Sequence, residues 1–308
     1  MTVSAVEQQR VASAPVRTRR RGGGSSHGER PSKLGVAVVS VFMIGVLVYF
    51  MLPVYWLVVA STKTASDLFS TPGLWFSEMN LWGNLSRLST YDGGIFWRWM
   101  FNSFIYSGVG SVLMTFVSVI SGYALAVYRF RGRALVVGAV MGSMLVPQTV
   151  LAQPTYQLLV EIGLNNTYAG VLIPSLVYPF GVMLGFIYAR SSIPTEILEA
   201  ARLDGASEWR IFLSIGSRLM GTGTVTILLF AFIGSWNNFM LPLLVLNDQS
   251  LMPVTVGLNG WSQASITVPE LQTLTVVGAL VSIVPVVLVF LGLQRYWRSG
   301  LAAGGVRF

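Results

Sequence analysis

The sequence predicts an all-α, polytopic membrane protein with six transmembrane helices, on three observations. Charged residues make up 10% of the 308-residue chain, against about 25% in an ordinary soluble domain. Six long, mainly apolar stretches contain no Asp, Glu, Lys or Arg, and the arginines and lysines between them fall overwhelmingly on alternate loops. A hydrophobic content of 53% with a mean hydropathy of +0.66 excludes disorder, a coiled coil and a secreted disulfide scaffold.

The stretches follow in order, each bounded by charge. They are 34–62 (Lys33 to Lys63), 99–128 (Arg98 to Arg129), 134–160 (Arg133 to Glu161), 162–189 (Glu161 to Arg190), 219–247 (Arg218 to Asp248) and 271–294 (Glu270 to Arg295). A spanning helix takes about 20 apolar residues, so each stretch holds one span with some tilt and none holds two. A seventh charge-free stretch, 249–269, contains Pro253, Asn259, Ser262, Gln263, Ser265 and Thr267 and reads as an extramembrane loop. Prolines at 53, 147, 174, 179, 242 and 285 lie in or near the spans and predict kinks. Two Gly-x-x-x-Gly spacings, Gly138/Gly142 and Gly181/Gly185, read as general helix packing.

Orientation follows from the basic residues. Seven lie in the N-terminal tail, Arg129, Arg131 and Arg133 after the second stretch, Arg190, Arg202, Arg210 and Arg218 after the fourth, and Arg295, Arg298 and Arg307 at the C-terminus. Only Lys63, Arg87 and Arg98 fall on the other side. The positive-inside rule then places both termini in the cytoplasm. The tail 1–33, with its run Arg19-Arg20-Arg21, reads as a disordered basic segment rather than a twin-arginine signal or a nucleic-acid site. The spanning domain is 34–308.

The chemistry is bounded by what is missing. The chain has no cysteine, and its one histidine, His27, lies in the polar tail. Disulfides, thiolate sites, zinc centres and histidine triads therefore lack parts, and neither a catalytic residue nor a metal ligand set is expected. The spans carry none of the ionisable groups that ion-coupled transporters and proton relays use. A phosphate-binding loop needs Gly-Lys-Ser/Thr, but the only lysines follow Ser32 and Thr62. The chain is thus not expected to be an enzyme, and any ATP used belongs to another polypeptide.

The loop 190–218 stands apart. Pro194 suits a first helical position, with Glu196 and Glu199 toward the positive end of a helix running to about Leu203. Asp204-Gly205 ends that helix, since glycine tolerates a left-handed cap. Ser207 caps a second helix carrying Trp209, Phe212 and Leu213. The pair reads either as a compact knob, with Ala200 and Ala201 letting another surface approach closely, or as an amphipathic loop on the lipid headgroups.

These residues carry a resemblance. Glu199-Ala200-Ala201, followed after three residues by Gly205, resembles the EAA loop of binding-protein-dependent ABC importer permeases. The run EAARLDGASEWRIF is similar to the carbohydrate branch, the six-span family of the maltose-type permease. Further motifs fall in the family's order: Asn102-Ser103, Tyr123-Ala124 before Arg129-Phe130-Arg131-Gly132-Arg133, Pro147-Gln148, Gly163-Leu164-Asn165-Asn166-Thr167, Ser235-Trp236-Asn237-Asn238-Phe239, Gln294-Arg295-Tyr296 and Gly300-Leu301. Roughly the first 30 residues fall outside the resemblance. The chain departs from the family at Ile215-Gly216-Ser217-Arg218, where Ile-x-Leu-Pro is usual, and at Asn238, where Asp is frequent.

The resemblance implies a type I ABC importer permease architecture in a prokaryotic plasma membrane. It implies a second, related permease, two ATPase subunits that bind ATP and Mg, and an extracytoplasmic solute-binding protein. The cargo would be a sugar, whether mono-, di- or oligosaccharide, or glycerol phosphate. Glu199, Ala200, Ala201, Asp204 and Gly205 would meet the ATPase. Trp236, Asn237 and Asn238 suit a sugar path chemically, and suit helix packing equally. A facilitator, a membrane-embedded enzyme and a structural subunit are the rival classes.

Overall fold

The computed structural model describes residues 33–304, so the N-terminal tail expected from the sequence lies outside it apart from Lys33. The chain divides into two compact units, 1–51 and 52–308. The described part of the first is helical throughout, within α1 (Lys33–Ser61).

After the end of α1 comes α2 (Ala65–Ser70), capped by the Thr64 hydroxyl on the Asp67 amide. Lys63 is buried, and its ammonium donates to Thr71 Oγ1 and the Pro72 carbonyl, each at 2.8 Å. Helix α3 (Leu81–Thr90) leads through a turn with left-handed Asp92, Gly93 and Gly94 into α4 (Ile95–Phe104). A π turn at Ile105–Val109 joins α4 to α5 (Gly110–Val127).

The next two expected spans are not single rods. Helices α6 (Arg133–Ser143) and α7 (Gln148–Glu161) meet at 100°, and α8 (Tyr168–Ser175) and α9 (Pro179–Ser192) at 40°. The causes are Pro147 before α7 and Pro179 at the start of α9, since proline removes an amide donor and excludes the preceding residue from helical backbone. Among the described residues, three continuous helical stretches are long and apolar enough to cross a membrane. Counting each bent pair as one span makes six.

Helix α10 (Thr195–Leu203), α11 (Glu208–Ile211), a π turn at Phe212–Gly216 and α12 (Ser217–Leu219) form the segment between α9 and α13 (Gly221–Trp236). Then come α14 (Met240–Val245), α15 (Val254–Ala264) and α16 (Glu270–Gly304). The stretch 249–269, expected as a loop, is therefore partly helical. At 11 residues α15 is far too short to span, and it buries Val254, Val256 and Trp261 in the core.

Three apolar clusters hold these elements. One gathers α4, α13, α15 and α16 around Phe96, Trp99, Phe232 and Val277. A second joins α5, α9 and the 190–218 segment around Val119, Tyr123, Ile193, Leu198, Ile211 and Phe212. The third packs α7, α8 and α14 around Leu159, Val171 and Val245.

The backbones of α5 and α9 approach closely. A Cβ added to Gly122 would fall 2.5 Å from both the Gly185 carbonyl carbon and the Phe186 nitrogen, and one on Gly185 would fall 2.8 Å from the Ser118 carbonyl oxygen. Gly181 and Gly185 thus belong to a small-residue seam against Ser118 and Gly122. The other spacing has no such role: a Cβ at Gly138 or Gly142 meets nothing within 4 Å.

Candidate functional site

The segment 190–218 folds as two short helices at a tight corner, and its backbone explains the corner. Pro194 takes extended backbone in the cap position, so α10 begins one residue later than the sequence suggests. At the other end Gly205 is left-handed, with φ +77°. The Ala206 amide donates to the Ala201 carbonyl and the Gly205 amide to the Arg202 carbonyl, both at 3.0 Å. This pair of bonds satisfies two of the orphan carbonyls at a helix C-terminus. The Ser207 hydroxyl then accepts from the Arg210 amide at the start of α11.

An ionic clasp fixes the two helices to each other and to α5. Arg202 Nε donates to Glu208 Oε1 at 2.8 Å and its Nη2 to Oε2 at 3.3 Å, a bidentate pair. The Tyr128 hydroxyl, at the end of α5, donates to Glu208 Oε2 at 2.8 Å. The Arg202 bonds first, and then the Tyr128 bond, hold the Glu208 carboxyl below its ordinary range. A depressed carboxylate contributes above its unfolded pKa, and the contribution is lost as pH falls through the lower folded value. Both side chains are more than a third exposed, so the clasp adds under about 1 kcal/mol and acts chiefly as a positioning device.

Beneath the clasp, Leu198, Ile211 and Phe212 are buried against Tyr123, Ile193 and Met220. Above it the surface is apolar: Leu203 is 90% exposed, Trp209 65% and Leu213 59%, beside exposed Ala200. Glu199, Asp204 and Gly205 are exposed too, whereas Ala201 is half-buried. A short, rigid projection with an apolar tip and a charged rim has the composition of a contact surface. Helical backbone continues through Ser217 and Arg218 to Leu219, and the 78° bend falls at Met220.

The second group of expected residues sits at the end of α13. Trp236 is buried, its ring stacked on Phe232 with centroids 5.7 Å apart and edge-on to Phe104. Asn237 closes the helix and is exposed, its amide donating to the Ile233 carbonyl. The Asn238 carbonyl accepts from the Thr255 hydroxyl at 3.2 Å.

A network unforeseen from the sequence pins the segment between α14 and α15. The Asn102 amide donates to the Ser250 and Met252 carbonyls, while its oxygen accepts from the Tyr168 hydroxyl. Trp99 Nε1 donates to the Gln249 carbonyl and the Tyr106 hydroxyl to the Leu251 carbonyl. The Ser103 hydroxyl accepts from the Val254 amide. Asn166, left-handed at φ +54°, accepts from the Asn247 and Asp248 amides. Four successive carbonyls of an irregular segment thereby find donors. Asn102-Ser103 and Asn166 stand in family motifs, but their partners lie 66 to 151 residues away.

Comparison with known proteins agrees with this architecture. The family described as "Binding-protein-dependent transport system inner membrane component" matches residues 94–301. The chain is 32% identical over 288 residues to an arabinooligosaccharides transport system permease protein, AraQ, of Bacillus subtilis (strain 168), covering 91% of this chain and 99% of that protein. It is 30% identical over 251 residues to the lactose transport system permease protein LacG of Rhizobium radiobacter, covering 81% and 88%. An sn-glycerol-3-phosphate transport system permease protein, UgpE, of Yersinia enterocolitica is 28% identical over 267 residues, covering 85% and 93%. A chain from the crystal structure of a bacterial ABC transporter involved in the import of the acidic polysaccharide alginate superposes with a TM-score of 0.73. It covers 85% of this chain and 96% of its own length at 22% identity, a likeness of fold.

Proposed function

This chain belongs to the family of binding-protein-dependent transport system inner membrane components, in its carbohydrate-type branch, and from that premise we propose that the 190–218 projection couples a separate ATPase to movement of the spans. The single observation that carries the proposal is the rigid corner itself: an apolar, exposed tip built over a core continuous with α5 and α9. Glu199, Ala200, Asp204 and Gly205 present the contact surface. Ala201 keeps the projection close-packed beneath it.

In this reading the partners are a second, related permease, two ATPase subunits carrying ATP and Mg, and an extracytoplasmic solute-binding protein. The projection and both termini face the cytoplasm across a prokaryotic plasma membrane, on the strength of the basic asymmetry. Nucleotide-driven approach of the ATPase subunits displaces the projection. Because Leu198, Ile211 and Phe212 are packed into Tyr123 and Ile193, the displacement passes to α5 and α9 as a rigid-body movement. Helix α5, at 18 residues, carries it about 27 Å. The cargo is a sugar or glycerol phosphate, as in the relatives named. Of Trp236, Asn237 and Asn238, Asn237 has the exposed amide suited to a neutral path, while Trp236 packs behind it.

Affinity purification of the tagged chain in mild detergent tests the assembly. Recovery of a second permease and an ATPase is the expected result. Recovery of the chain alone, with uptake that persists after ATP depletion, would establish a facilitator instead.

A further inference from the structure

Between α3, the turn after it and the start of α16 lies a cavity of about 140 Å³, remote in sequence from every residue discussed as a site. Asn84 forms its structural part. The Asn84 amide is spent on the Ser61 and Lys63 carbonyls, and its oxygen accepts from Asn80. Arg87, Tyr91, Glu270 and Thr273 supply the rest of the polar wall, with Thr90, whose hydroxyl is spent on the Ser86 carbonyl.

Two features of this wall bear on binding. Arg87 and Glu270 share the cavity yet form no ion pair; among the described residues the only ion pair is Arg202–Glu208. Thr273 is 5% exposed, and its hydroxyl has no hydrogen-bond partner. Thr275 and Ser282 on the same helix satisfy theirs on the carbonyl four residues back, a solution Thr273 does not take. A buried hydroxyl without a partner is a cost that a ligand can relieve. Tyr91 adds an aromatic surface, held edge-on by Trp261 with centroids 5.4 Å apart.

We propose that the cavity lined by Arg87, Tyr91, Glu270 and Thr273 is a binding subsite for one ring of a neutral saccharide. The volume has room for about ten waters, comparable with the ten non-hydrogen atoms of one pentose ring. A guanidinium donates and a carboxylate accepts, which together suit adjacent sugar hydroxyls, while an aromatic face takes the C–H surface. The opposed charges make the site neutral overall, which matches a sugar without ionic groups. With Lys63, Arg87 and Arg98 outside, the subsite opens on the face that first meets the cargo. This placement rests on the transport reading above.

The test uses the full chain in lipid nanodiscs and saturation-transfer NMR, with arabinose, lactose and arabinotriose as probes and sn-glycerol 3-phosphate as comparator. Transfer to the neutral sugars is expected. It should fall about fivefold in Thr273→Val and in Glu270→Gln, the order expected for one lost hydrogen bond. Glu78→Gln, an exposed acid outside the cavity, should leave it unchanged. Thr273→Val is isosteric and should not lower the melting temperature, so its loss of signal would not reflect misfolding. No transfer to any of the three sugars, equal transfer in the variants, or stronger transfer to glycerol phosphate would overturn the proposal. ATP-driven uptake that survives any of these results would remove the subsite and leave the importer reading standing.

Discussion

Gly205→Val is expected to leave the chain in the membrane at near-normal abundance while abolishing ATP-driven uptake. Gly205 holds φ +77° at the corner between α10 and α11, and a Cβ there meets nothing within 4 Å. The substitution therefore meets no steric wall; its penalty is the left-handed backbone, about 1–2 kcal/mol for a branched residue. The corner can relieve that strain only by opening, which breaks the Ala206–Ala201 and Gly205–Arg202 bonds and re-aims the apolar tip. A small local cost in an exposed loop does not unfold a helical bundle, but a displaced tip ends productive contact. Gly205→Asn should retain most uptake, because asparagine tolerates the left-handed region. Glu199→Ala should weaken coupling more mildly, since a solvated acid near a helix start contributes under about 1 kcal/mol. Uptake by reconstituted complexes, alongside membrane abundance by immunoblot, reads both quantities. Normal uptake by Gly205→Val would show that the corner does not transmit motion.

The largest loss of stability is expected at the α5–α9 seam. Gly122→Val would drive its Cβ into the backbone of Gly185 and Phe186, at 2.5 Å from each. Those atoms belong to a helix and cannot swing aside as a flexible side chain can, so the helices must separate. Overpacking of this kind costs roughly 1–3 kcal/mol or more, and parting the seam also loosens the shared cluster around Val119 and Tyr123. Thermal unfolding in detergent should show a clear fall in melting temperature. The matched control is Gly138→Val, also within a helix, where a Cβ meets nothing within 4 Å; it should be nearly silent. Equal effects at the two positions would contradict the assignment of the seam.

The contrast between these glycines shows where sequence reasoning ends. Span number followed from charge spacing, because desolvation makes ionisable groups costly in hydrocarbon whatever the tertiary structure. The helix-turn-helix at 195–211 followed from Ser207, Asp204 and Gly205, because capping is local chemistry. The Gly-x-x-x-Gly spacings look alike at 138/142 and 181/185, yet only the second faces a neighbouring helix. Which face of a span is covered depends on partners distant in sequence, as with Tyr128 and Glu208 or Asn102 and Ser250. The bends at Pro147 and Pro179 were marked by proline, but their sizes, 100° and 40°, were not. The segment 249–269 reads as an extramembrane loop from its serines and asparagine, and the helix α15 within it, burying Val254, Val256 and Trp261, depends on partners distant in sequence.

The coupling role of 190–218 is tested most directly by a chemical contact. Leu203, 90% exposed at the tip, can be replaced by cysteine in a chain that has none of its own. A short bifunctional cross-linker applied to the purified assembly should join Leu203→Cys to the ATP-hydrolysing subunit, with a yield that changes when ATP is added. Cross-linking solely to lipid or to the second permease, unaltered by nucleotide, would contradict the coupling account.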